Sequence, residues 1–223
     1  MMKRMLLAAA VCLSLAATAA AQQPAKPPAP PDPHAGHRGA PAQKTTQELS
    51  VAAKYFSDVE LINQDGQKVR FYSDVLKGKT VVVNAFFTTC TSVCPPMNRS
   101  MEKIQEAFGD RVGKDVLLVS LTVDPATDTP PRLKEYAAKF HAGKGWTFLT
   151  GKKENLDWAL YKLGQYVENK DDHKTVLIIG NEASGLWKKA FGLARVEELI
   201  QLVKEVADDK GAAKASASTT AAP

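Results

Sequence analysis

The stretch that most constrains this chain is Thr80 to Phe87, TVVVNAFF, an almost unbroken run of β-branched and aromatic residues. A strand that alternates apolar and polar residues buries one face, whereas a strand apolar at nearly every position must be covered on both. The run therefore predicts a central strand of a sheet with layers packed on either side. The next residues narrow the choice. Cys90-Thr91-Ser92-Val93 reads as a turn, and Pro95 to Phe108 has a helical pattern. Pro95 and Pro96 are tolerated in the first turn, where backbone donors have no helical partner. A second buried run, Val116 to Val123 (VLLVSLTV), comes after the helix.

The remaining periodicities alternate in the same way. Val59–Ile62 and Lys68–Phe71 flank Gln64-Asp65-Gly66, and Asp-Gly between two short apolar runs signals a β-hairpin. Asp128-Thr129-Pro130 starts a helix that carries Leu133, Tyr136, Ala137 and Phe140, with Asp128 as its expected cap. Trp146–Leu149 is a short strand, and Leu156 to Leu163 is a helix closed by Gly164. Thr175–Ile179 and Leu186–Phe191 form a strand pair about a turn at 181–185, and Val196 to Val206 is an amphipathic last helix. Strands alternating with helices imply an α/β fold: a central mixed sheet flanked by helices, with the hairpin at its N-terminal end.

The two ends of the chain read differently. Residues 1–21 have the form of an export signal: Lys3 and Arg4, an apolar Leu6–Leu15, then Ala19-Ala20-Ala21 before Gln22. Val11 before Cys12 argues against lipidation at that cysteine. Cleavage is favoured over retention as a membrane anchor, because Met5 to Gln23 is near the short limit of a span, about 17–25 residues. The expected location is outside the cytoplasm, in the periplasm. Residues 22–48 are a Pro-rich linker with seven prolines between Gln22 and Gln47, which cannot build a core. Residues 208–223 have a disordered-tail composition. The folded domain is then 49–207. Without the leader, 27 basic residues face 24 acidic ones. That small excess, with no basic run interleaved with aromatics, gives no nucleic-acid footprint.

The mature chain keeps two cysteines, Cys90 and Cys94, between a strand and a helix. Their loop is too short to staple a fold, so the pair points to chemistry. Cysteines at i and i+4 in a helical turn lie about 5–6 Å apart, which suits a disulfide or two sulfurs on one metal. A helix N-terminus favours thiolate, the form that attacks disulfides and binds metals. Two thiolates are soft ligands suited to Cu(I), zinc or iron–sulfur. Structural zinc wants four ligands and a cluster normally four cysteines, whereas copper is content with two sulfurs and a histidine.

His173 precedes the strand Thr175–Ile179. In a thioredoxin-like sheet that turn lies beside the cysteine pair, and Asp171 or Asp172 would hold the second ring nitrogen. On position alone a ligand and a surface histidine fit equally well. His141 reads as a helix C-terminal residue. Met97 and Met101 read as core, and His34 and His37 as linker residues.

These residues together resemble the Sco (SenC-type) copper proteins that assist assembly of the copper centre of cytochrome c oxidase. The resemblance rests on the Asp65-Gly66 hairpin, Gly78-Lys79, Cys90-x-x-x-Cys94-Pro95 with Val93, Val123-Asp124-Pro125 with Asp128-Thr129-Pro130, Leu133 to Tyr136, Leu149-Thr150-Gly151, and Asp172-His173. It spans nearly the whole domain. It implies a thioredoxin fold with Cys90, Cys94 and His173 as ligands of Cu(I) or Cu(II). It also implies a copper-accepting oxidase subunit as partner and an upstream thiol reductant. The chain departs from the family pattern in Thr91-Ser92 between the cysteines, in a short stretch from Gly164 to Asp172, and in Lys174 after the histidine.

Two readings compete. One is a metallochaperone that delivers copper to, or prepares the thiols of, that centre. The other is an exported thiol–disulfide oxidoreductase with no copper role, in which Cys90 attacks and Cys94 resolves. A thiol peroxidase, with Arg99 as the activating cation, is a weaker third.

Overall fold

The computed structural model describes residues 50–211. The expected leader, the linker with His34 and His37, and most of the expected tail lie outside them. Among the described residues a single mixed sheet runs in the order β2-β1-β5-β4-β3-β6-β7. Its strands are β1 (Glu60–Asn63), β2 (Lys68–Arg70), β3 (Thr80–Phe86), β4 (Val116–Thr122), β5 (Trp146–Thr150), β6 (Val176–Asn181) and β7 (Leu186–Phe191). The helices are α1 (Val51–Phe56), α2 (Cys94–Phe108), α3 (Pro130–Ala138), α4 (Lys153–Lys162) and α5 (Val196–Asp208).

β3 lies between β4, to which it is parallel, and β6, to which it is antiparallel, with Val83 opposite both Val119 and Ile178. Every residue of β3 is buried. Because side chains alternate across a strand, Val82 and Phe86 join the layer formed by α2, α3 and α5. Val81, Val83 and Ala85 join the opposite layer, with Phe56 of α1 and Leu156, Ala159 and Leu160 of α4. This two-sided cover is why the run lacks alternation.

The exception within β3 is Asn84, which is fully buried yet satisfied. Its amide donates to Asn98 Oδ1 at 2.9 Å, and its oxygen accepts from Ser120 Oγ at 2.7 Å. Trp146 Nε1 donates to Ser120 at 3.0 Å, and Asn98 donates to the Tyr136 hydroxyl at 3.1 Å. One closed polar chain thus ties β5, β4, β3, α2 and α3 together. Leaving any member unpaired would cost about 1–3 kcal/mol.

Two elements differ from the sequence pattern. The second hairpin strand stops at Arg70, because Phe71–Leu76 forms a π-helical turn that buries Phe71, Tyr72, Val75 and Leu76. Helix α1, capped by Ser50 Oγ on the Ala53 N–H, has only six residues, too few for a periodic signal. Gly180 answers to close approach: a Cβ there would stand 2.1 Å from the ring of Trp187, its partner on β7.

Candidate metal and thiol site

Cys94 is the first residue of α2, and Cys90 lies in the loop between β3 and that helix. The pair therefore does not share a helical turn, as the i, i+4 spacing predicts. The loop folds back instead, with the Cys90 N–H donating to the Phe87 carbonyl at 3.1 Å. Ligand atoms of Cys90, Cys94 and His173 nevertheless all lie within 4.8 Å of one another. Both cysteines are buried and unbridged.

The two thiols are not equivalent. Burial opposes ionisation of Cys90, but hydrogen bonds from the Cys94 thiol, the Cys94 and Ser92 backbone and the Ser92 hydroxyl outweigh it and lower its pKa. Cys94 moves the other way: burial, then donation to Cys90 and the negative charges of Cys90 and Asp128, hold its pKa far above the usual thiol value. Of the two, Cys90 is the more readily ionised.

His173 Nε2 lies 3.2 Å from Cys94 Sγ. Its Nδ1 lies 3.0 Å from the Lys170 carbonyl, which can only accept, so Nδ1 carries the proton and Nε2 presents a lone pair to the sulfurs. The second-nitrogen partner is this carbonyl, not Asp171 or Asp172. Those two residues form the 3-10 turn Lys170–Asp172, whose entry is capped by the Asn169 side chain on the Asp171 N–H at 3.1 Å. Burial lowers the pKa of His173 against the opposing pull of the Lys170 carbonyl and Asp171, which keeps the ring neutral. Phe87 packs edge-on to the imidazole, with centroids 5.2 Å apart. One thiol whose ionisation is favoured, one that metal binding would deprotonate, and a neutral imidazole are a donor set that suits a soft ion such as copper.

The acidic pair of the Val-Asp-Pro and Asp-Thr-Pro motifs surrounds this centre. Asp128 does not cap α3, whose N-cap is Thr129. Its buried carboxylate accepts from the Thr88 N–H, the Thr88 hydroxyl and the Thr122 hydroxyl, fastening the start of the cysteine loop to the end of β4. Asp124 donates its N–H to Thr122 Oγ1 at 2.9 Å and accepts from Lys170 Nζ at 2.7 Å. Lys170 escapes a sequence reading because its partner is 46 residues away. The short stretch before His173 was the available signal.

Other sequence candidates fall elsewhere. His141 follows α3 and contacts Glu102 Oε1 at 2.5 Å, outside the cysteine cluster. Met97 and Met101 are fully buried core residues. Arg99 is committed to Glu102 at 2.8 Å and to the ring of Phe140. No helix among the described residues is long and apolar enough to cross a membrane.

Fold and site together define a thioredoxin-like protein carrying a dithiol with a histidine at its mouth. The SCO1/SenC family model matches residues 47–207, and the chain belongs to that family. It is 37% identical over 118 residues to the SCO1 protein homolog of Bacillus subtilis, an alignment covering 52% of this chain and 60% of that protein. The structure of Arabidopsis thaliana ScoI with copper bound superposes with a TM-score of 0.56 at 25% identity, covering 68% of this chain and 98% of that one. BsSco, described as a member of the Sco family of cytochrome c oxidase assembly proteins with a disulfide switch, superposes with a TM-score of 0.57 at 28% identity, covering 69% and 93%.

Proposed function

We propose that this chain is an exported copper carrier that acts in assembly of a cytochrome c oxidase. Cys90, Cys94 and His173 hold the copper as cargo, in the Cu(I) or Cu(II) state, and a copper-accepting subunit of the oxidase receives it by ligand exchange. The folded unit is 49–207, set off by the linker 22–48 and released to the periplasm by cleavage after residue 21. The observation that carries the reading is the placement of His173: its Nδ1 lies 3.0 Å from the Lys170 carbonyl and its Nε2 3.2 Å from Cys94 Sγ, with Cys90 in the same cluster. A surface histidine has no need of this, whereas a soft-metal site gains a fixed ring with a lone pair facing the sulfurs. The Sco proteins of known structure, one of them with copper bound, support the same assignment.

The unequal thiols favour a second activity at the same site. Cys90 thiolate attacks a disulfide sulfur of a partner, forming a mixed disulfide and expelling one partner thiolate. Cys94 then loses its proton and attacks Cys90 Sγ, forming the internal disulfide and releasing the second partner thiol. The partner gains two electrons, the chain loses two, and an upstream thiol reductant must restore the dithiol.

Copper binding by the reduced full chain, measured against a calibrated competing chelator, separates the readings. One copper bound tightly, with severe weakening by both His173→Ala and Cys90→Ser, is the expected result. Copper binding indifferent to His173→Ala, with reduction of a test disulfide intact, would leave only the thiol reductase.

A further inference from the structure

The cysteines are built into the frame of the fold, but His173 sits on the stretch between α4 and β6, which has no strand or long helix of its own. Something must fix where that imidazole stands. Lys170 is attached to it from both ends. Its carbonyl accepts two hydrogen bonds from His173, from the backbone N–H at 3.2 Å and from Nδ1 at 3.0 Å. Its ammonium reaches across to Asp124 Oδ2 at 2.7 Å, where the carboxylate is only 12% exposed. Along the way it passes 5.1 Å from the centroid of Phe87, the ring that packs against His173. Asp124 in turn is joined through Thr122 to Asp128 and so to Thr88 at the start of the cysteine loop.

We propose that Lys170 is the positioning residue of the site: its ion pair with Asp124 clamps the short loop so that its own carbonyl sets the place and tautomer of His173 opposite the dithiol. This rests on the copper reading for its consequence but not for its geometry. Lys170 touches no ligand sulfur and holds no metal. It acts through the histidine, as the outer partners of metal-bound histidines do. Losing the clamp leaves the dithiol intact and lets the imidazole wander, so copper binding weakens while thiol chemistry stays.

The test uses the full chain and the variants Lys170→Met, Asp124→Asn, the double variant and Lys170→Arg. Two properties are read. In the reduced, metal-free protein, nitrogen NMR of the histidine side chains reports the His173 tautomer. Copper affinity is then measured by chelator competition. Lys170→Met and Asp124→Asn should each depopulate the Nδ1–H form and weaken copper binding about tenfold, the lower end of outer-partner effects. The double variant should lose no more than either single, since both cut one link. Lys170→Arg should keep wild-type values, and Cys90 alkylation should be unchanged throughout. An unaltered tautomer and affinity in Lys170→Met would overturn the clamp while leaving the copper reading intact. A wild-type chain that binds no copper would overturn the copper reading, and the tautomer measurement would still decide the clamp.

Discussion

The two arms of the site are built in opposite ways. The cysteine arm joins a central strand to the longest helix, and what holds it is buried and many-sided: the Asn84 chain beneath it and the Asp128 carboxylate beside it. The histidine arm is a short loop held by a 3-10 turn, one aromatic contact and an ion pair between a partly exposed Lys170 and a largely buried Asp124. The proposed carriage of a soft ion would gain from such a division. Metal binding would take the Cys94 proton, but the backbone that carries the two sulfurs is held by the core, whereas the loop that carries His173 can shift without disturbing it. Damage to the supports of the first arm should therefore appear as unfolding, and damage to the supports of the second as lost affinity.

The sharpest way to break this comparison is at Asn84. Asn84→Ala removes the acceptor of the Ser120 hydroxyl and the donor to Asn98 Oδ1, both on fully buried residues, and removes a packed side chain. At about 1–3 kcal/mol for each of the two unpaired groups, the expected loss is roughly 2–6 kcal/mol in urea denaturation. A loss below about 1 kcal/mol would mean the polar chain does not brace the cysteine arm. Lys170→Met is the counterpart. Lys170 is 38% exposed and the Asp124 carboxylate 12%; without the cation the carboxylate keeps its hydrogen bonds from Thr127, so the denaturation midpoint should fall less than in Asn84→Ala while copper binding falls.

Next in size is the difference between the two thiols. Alkylation by iodoacetamide follows the thiolate, so its rate climbs as pH rises through the pKa of the attacking group. With Cys90 lowered and Cys94 raised, the midpoint of the rate should fall below the ordinary thiol pKa of about 8.5. Peptide mapping should find the first label on Cys90. Label divided evenly between the two, or a midpoint above that value, would show that hydrogen bonding from Cys94 does not hold the thiolate.

How much of this was legible in the sequence obeys the same division. Strand β3, the cysteine turn and helix α2 announce themselves because a doubly covered strand and a prolyl helix start are local patterns. From position alone His173 could be a ligand or a surface residue, and only the resemblance named it a ligand; the carbonyl that faces its Nδ1 is supplied by the folded loop and could not be read. Asp128 read as a helix cap because it precedes Thr129-Pro130, and only the sheet reveals that its carboxylate turns toward Thr88 and Thr122 instead. Lys170 could not be read at all, because an ion pair between distant loops leaves no periodic trace. Short or irregular elements, α1 and the π-helical turn, escaped for a related reason: they are stabilised by what they pack on rather than by their own pattern.

The smallest expected effect tests whether the arms are separable in the direction opposite to Lys170→Met. His173→Ala removes the acceptor 3.2 Å from Cys94 Sγ, yet none of the groups that lower Cys90 belongs to the histidine loop: they are Cys94 and Ser92. The proton on Cys94 loses one of two acceptors and keeps the other, the Cys90 thiolate. The pH midpoint of Cys90 alkylation in His173→Ala should therefore match wild type within error, with a midpoint of urea denaturation close to wild type. A clear rise in the Cys90 midpoint would show that the imidazole shares in holding the thiolate, and that the two arms act as one hydrogen-bonded unit before any metal arrives.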